Sequence, residues 1–104
     1  YDDMVKVRGV QLTPQMVEEI MRGFSEVDEF FSTVEERDGL DSLIIKFELR
    51  KDLEPSTGED IVLQIKDQFK TEIGLTPEIE VAPRDSLPRF ELKSRRFKDL
   101  RTRH

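Results

Sequence analysis

Over residues 43–50, apolar and polar side chains alternate. Leu43, Ile45, Phe47 and Leu49 fall on one side, and Ile44, Lys46, Glu48 and Arg50 on the other. A period of two is the pattern of a strand with one greasy face, and no other stretch of the chain constrains the fold as tightly. Just upstream, residues 29–37 (EFFSTVEER) are enriched in Phe, Thr and Val, and Asp38-Gly39 is a tight-turn signal between the two runs. The pair therefore reads as an antiparallel hairpin.

Helical signals flank this hairpin on both sides. Thr13-Pro14 is a helix start, because threonine can cap free N–H groups and proline suits the first helical position. Behind it Val17, Ile20, Met21 and Phe24 recur at i, i+3, i+4 and i+7, with Glu18, Glu19 and Arg22 on the wet side. This helix is expected to end near residues 23–25. After a loop at 52–57, Ser56 and Glu59 have capping-box spacing, and Ile61, Val62, Ile65, Phe69 and Ile73 line one face. Gly74 suits a left-handed stop, with Leu75 and Pro77 following. Two short strands complete the pattern, Met4-Val5-Lys6-Val7, which stops at Gly9, and Glu78-Ile79-Glu80-Val81. Strand, helix, strand, strand, helix, strand predicts an α+β domain of the ferredoxin-like βαββαβ kind, an antiparallel sheet with two helices on one face. From Pro83 the periodicity fails, so residues 83–104 are expected as an irregular basic C-terminal tail.

Composition narrows the chemistry. A chain of 104 residues fits one domain and no more. It has no cysteine, which excludes disulfides, thiolate metal sites and a cysteine nucleophile, and fits a reducing, cytoplasmic setting. The one histidine is His104, so a Ser-His-Asp triad or a multi-histidine metal site has no residues to draw on and no metal site is expected. No apolar run reaches the roughly 18–20 residues of a membrane span, so no membrane partner is expected. The start at Tyr1-Asp2-Asp3, without an initiator methionine, suggests a piece of something longer. The net charge of −6 is uneven: residues 89–104 hold seven basic side chains against two acidic ones, and the remaining 88 residues are strongly acidic. An acidic body argues against nucleic acid as a partner, whereas the tail can attract an anion.

Three stretches are candidates for function. The tail from Ser86 to Arg101 leads with a proline and continues with cations, an arrangement that can present Lys93 to a phosphate or carboxylate. The same composition fits a solubilising tail, and an RNA-binding arm is a weaker reading because Phe30, Phe31 and Phe47 are better used in the core. Gly9, between a strand and a capped helix, permits close backbone approach to a ligand, or simply makes a tight turn. Asp2-Asp3 can bind a metal or act as acid and base, and equally can be solvated charge at a chain end.

Taken together these stretches resemble one family. The order Asp2-Asp3-Met4-x-x-Val7-Arg8-Gly9-Val10-x-Leu12-Thr13-Pro14-x-x-Val17-Glu18-Glu19, the turn through Gly39-Leu40-Asp41, Gly74-Leu75-Thr76-Pro77, and Ser86-Leu87-Pro88-Arg89-Phe90-Glu91-x-Lys93-x-x-Arg96 is similar to the C-terminal domain of phenylacetate–coenzyme A ligases, in the adenylate-forming acyl-CoA synthetase superfamily. The resemblance covers residues 2–101. It implies a lid domain over 1–104 whose partner is an N-terminal adenylation domain of the same polypeptide. That absent domain would bind most of the ATP, the Mg2+ and the carboxylic acid substrate. The implied reaction joins acid and ATP into an acyl-adenylate and pyrophosphate, after which coenzyme A displaces AMP. The lid rotates between the steps, and the isolated domain is expected to be inactive.

Residue by residue, the resemblance makes Lys93 the catalytic adenylation lysine, Asp2 the hinge, and Arg8 and Gly9 the coenzyme A-facing loop. Arg89, Arg95 and Arg96 would be anion-facing or structural cations. One position departs from the family: a glycine usually precedes the lysine, and here Leu92 stands there. A different class of function, a stand-alone ferredoxin-like regulatory or protein-interaction module, is compatible with the same fold.

Overall fold

The alternating run does form the middle of a sheet. In a computed structural model, which describes residues 4–88 and 96–101, strands β3 (Val27–Arg37) and β4 (Leu40–Leu49) are paired antiparallel from Arg37↔Leu40 through Thr33↔Ile44 to Phe30↔Phe47, with a register shift between Val27 and Phe30. Their connection is a two-residue turn in which Asp38 (φ 52°) and Gly39 (φ 79°) are both left-handed, the geometry that matches the twist of paired strands.

Ahead of this hairpin lie β1 (Val5–Val7), β2 (Val10–Leu12) and helix α1 (Pro14–Arg22), and after it come helix α2 (Thr57–Ile73), β5 (Glu78–Val81) and β6 (Phe97–Asp99). Strand order in the large sheet is β5-β4-β3-β6, and both outer strands run parallel to their neighbours. Phe30, Val34, Leu43, Ile45, Phe47 and Leu49 on one sheet face share a single core with Val17, Ile20 and Met21 of α1 and Ile61, Ile65 and Phe69 of α2. The α+β class holds, with both helices packed on one face of the central strands.

Helix α1 starts as its sequence predicts: Thr13 is extended, and its hydroxyl accepts from the Met16 N–H at 3.2 Å. Helix α2 stops at Gly74, which takes φ 77° and donates its N–H to the Lys70 carbonyl.

Four features differ from the sequence reading. Ser56 makes no side-chain cap, because it sits in the helical region (φ −65°, ψ −20°) rather than the extended one a cap requires; the Thr57 and Gly58 N–H groups are taken instead by the carbonyls of Glu54 and Pro55. The sheet is mixed: its antiparallel part is the central pair. The first strand does not join it. After Val7 a two-residue turn at Arg8-Gly9 folds the chain straight back, so β1 pairs with β2 (Val5↔Leu12, Val7↔Val10) in a separate small hairpin. That hairpin is tied to the domain by Val7 and Leu12, both fully buried in the shared core. The fourth place in the large sheet is filled from the tail, by Phe97–Asp99 against β3, with Phe97 packed on the core.

Candidate functional site

The turn of the small hairpin is built from unusual backbone. Arg8 has φ 51° and Gly9 φ 81°. Glycine takes that conformation without cost, but an arginine there gives up roughly 1 kcal/mol to steric contact with its own Cβ. A Cβ built on Gly9 meets nothing within 4 Å, so the turn stands in open space and the requirement for glycine is conformational. Arg8 is exposed, and its Nε donates to the Asp41 carbonyl at 2.8 Å. This bond fastens the strained residue to the start of β4.

Asp41 works from a second atom. Its carboxylate accepts from Nη1 of Arg101 at 2.9 Å, and the same nitrogen reaches the Lys6 carbonyl of β1 at 2.8 Å. Nη2 and Nε of Arg101 bind the two oxygens of Asp99 at 2.6 and 2.8 Å. One guanidinium thus joins β1, β4 and the end of β6, using the planar fork that lysine lacks. The hydrogen bond to Asp99, reinforced by Asp41, raises the Arg101 pKa above its ordinary value.

Arg96 makes a comparable network at the other end of β6. Its Nε lies 2.6 Å from Glu29 Oε1, and its Nη1 3.6 Å from Glu18 Oε1. Arg22 reaches the same two carboxylates, and both guanidiniums lie over the ring of Phe30, at 5.0 Å for Arg22 and 5.6 Å for Arg96. Glu18 and Glu29 are each 5% exposed, so two buried anions are balanced by two stacked cations. The Glu29 hydrogen bond raises the Arg96 pKa.

A third anchor precedes the lysine segment. Glu48 is fully buried on β4, and its two carboxylate oxygens accept the backbone N–H groups of Asp85 at 2.8 Å and Leu87 at 2.7 Å. Alternate N–H groups converging on one anion form a small backbone nest, helped by the left-handed Asp85 (φ 64°). Arg84 holds the same bend by donating to the carbonyls of Arg50 and Leu53.

Of the residues singled out from sequence, Arg8, Gly9 and Arg96 are in the described structure. Arg8 and Gly9 form the hairpin tip, and Arg96 faces carboxylates of its own domain. Lys93, Asp2, Arg89 and Arg95 lie outside the described residues. Sequence reading passed over Glu48, Glu29, Asp41 and Arg101 as functional groups. Glu48 occupied an outward position of the alternation, and its burial depends on a segment 37 residues away. Among the described residues there is no group of three or more His, Cys, Asp or Glu able to hold a metal, and no helix long and apolar enough to cross a membrane.

The large sheet, both helices and the tail strand fall within one family boundary, which opens at Gly9 inside the small hairpin: the model of the AMP-binding enzyme C-terminal domain matches residues 9–101. The chain belongs to that family. It is 32% identical to the phenylacetate–coenzyme A ligase of Escherichia coli K12 over 96% of its own length, which is 24% of that protein. The chain therefore spans about a quarter of this curated relative. A crystal structure of a domain of phenylacetate–coenzyme A ligase from Bacteroides vulgatus superposes with a TM-score of 0.81 at 29% identity, covering 96% of this chain and 94% of that one. A 2-hydroxyisobutyryl-CoA ligase structure, in complex with 2-HIB-AMP and CoA in the thioesterification state, gives a TM-score of 0.85 at 20% identity, with 96% of this chain and 22% of that one covered. At that identity the likeness is one of fold. This AMP-binding enzyme C-terminal domain accordingly matches phenylacetate–CoA ligases in sequence and shares its fold with more distant acid–CoA ligases.

Proposed function

We propose that this domain is the mobile C-terminal part of an ATP-dependent aryl- or phenylacetate–CoA ligase, working against an N-terminal adenylation domain of the same polypeptide in the cytoplasm. The observation that carries this reading is the similarity to a phenylacetate–CoA ligase along 96% of the chain, which takes in both the hairpin and the lysine segment. In the first half-reaction the carboxylic acid attacks the α-phosphate of ATP, and the Lys93 ammonium offsets charge developing between them. A lysine suits this as a compact point charge on a flexible stem. In the second, coenzyme A displaces AMP, and the Arg8-Gly9 turn is the surface turned toward the thiol-bearing arm. Its open surroundings and absent Cβ fit close passage of a narrow chain, and the exposed Arg8 fits a polyanionic ligand. ATP and Mg2+ are held mainly by the N-terminal domain, so the isolated C-terminal domain is inactive.

The intact enzyme is expected to release AMP from ATP in a manner requiring both coenzyme A and an arylacetate. A panel of aryl and short carboxylates yielding no thioester would sink the proposal. The hinge role of Asp2 has its own test. Asp2→Pro restricts backbone rotation, so thioester formation should fall about tenfold or more while adenylation changes by less than about threefold. Equal loss of both steps would remove Asp2 from the hinge.

A further inference from the structure

We infer that Arg101 and Asp41 are positioning residues for the thioester-forming half-reaction, acting through the Arg8-Gly9 turn; this deepens the function proposed above and rests on it. The small hairpin is not part of the large sheet, so its orientation depends on what ties it down. Leu12 at its base and Val7 directly before the turn seat the hairpin in the core, while Arg8 and Gly9 themselves are exposed. Two polar links hold the turn and the strand that leads into it: the Asp41 carbonyl on Arg8 Nε, and the Arg101 guanidinium on the Lys6 carbonyl of β1. Both pass through Asp41, whose backbone oxygen binds Arg8 and whose carboxylate binds Arg101. Arg101 and Asp41 are 14% and 15% exposed, so their pairing is shielded from water and fixes one geometry. Arg101 is in turn held by Asp99 at the end of β6. The chain approaching the lysine segment is anchored elsewhere, by Glu48, and the chain leaving it by Arg96. Loss of Arg101 should therefore loosen the coenzyme A-facing turn and spare the adenylating lysine.

The test uses the intact enzyme and measures each half-reaction separately. Arg101→Gln removes the charged fork. Asp41→Asn weakens its anchor while keeping the backbone carbonyl that Arg8 uses. Thioester formation from preformed acyl-adenylate is expected to fall about tenfold in Arg101→Gln and about threefold in Asp41→Asn, since small misplacements of positioning groups cost rates of this order. ATP–pyrophosphate exchange should stay within about twofold, and Arg101→Lys should recover only part of the loss. A merely structural role would lower both half-reactions together, and that outcome overturns the inference. Should Arg101→Gln fail to fold, Asp41→Asn decides alone. Gly9→Val, which forces a branched side chain into a left-handed position, is the control. If Gly9→Val forms thioester normally, the reading of the turn fails and takes the inference with it. If Gly9→Val is slow but Arg101→Gln and Asp41→Asn are not, the inference alone is wrong.

Discussion

Truncating Glu48 to alanine is expected to destabilise the domain by about 3 kcal/mol, the largest effect on stability foreseen outside the apolar core. Glu48 is fully buried and charge-assisted in both of its bonds to the Asp85 and Leu87 N–H groups. Hydrogen bonds to ionised groups each contribute roughly 1.5–3 kcal/mol, and an N–H left without a partner costs roughly 1–3 kcal/mol. The bend at residues 83–87 is also held by the Ser86 N–H and hydroxyl on the Pro83 carbonyl, by Arg84, and by the exposed pair Lys51–Asp85, a contact that solvent weakens. Glu48→Gln should fall between wild type and alanine, because an amide offers one acceptor where the carboxylate offers two. Urea denaturation of the domain reads the difference as a shift in midpoint at constant slope. A Glu48→Ala midpoint within error of wild type would show that the nest forms without its anion.

The parts of the fold legible in sequence were those with a local cause. The alternation over 43–50, the Asp38-Gly39 turn, the Thr13 cap and the Gly74 stop each act within a few residues, and each is present. Features set by distant partners were hidden. Val10-Gln11-Leu12 is too short to show a period, and its pairing depends on a left-handed arginine that no propensity favours. Phe97-Lys98-Asp99 becomes a strand only because β3 has a free edge beside it and the core accepts Phe97. Of the site, the Arg8-Gly9 turn was visible as a motif. Its restraints were not, because Asp41 and Arg101 are 60 residues apart and Glu48 meets its partners across 37 and 39 residues. A charge count could only describe Arg96 and Arg101 as cations of a basic tail, whereas each is spent on carboxylates of the acidic body.

The tail's remaining cation of interest is Lys93, and its replacement is the second large effect. In the intact enzyme Lys93→Ala is expected to slow adenylate formation about 10²–10³-fold, the usual cost of removing one group that stabilises transition-state charge. That corresponds to about 3–4 kcal/mol of barrier. Lys93→Arg should restore little, since a broad planar fork is a poor substitute for a compact point charge. On the proposed mechanism the second half-reaction does not depend on this charge, because the Arg8-Gly9 turn and not Lys93 would then face the reacting groups. The most direct measurement is therefore ATP–pyrophosphate exchange in the Lys93→Ala enzyme, set beside thioester formation from preformed acyl-adenylate in the same preparation. Exchange reduced to about 1% or less with thioester formation within about threefold of wild type is the result expected of a lid that serves the two steps with two surfaces. Normal exchange, or equal loss of both steps, would contradict it.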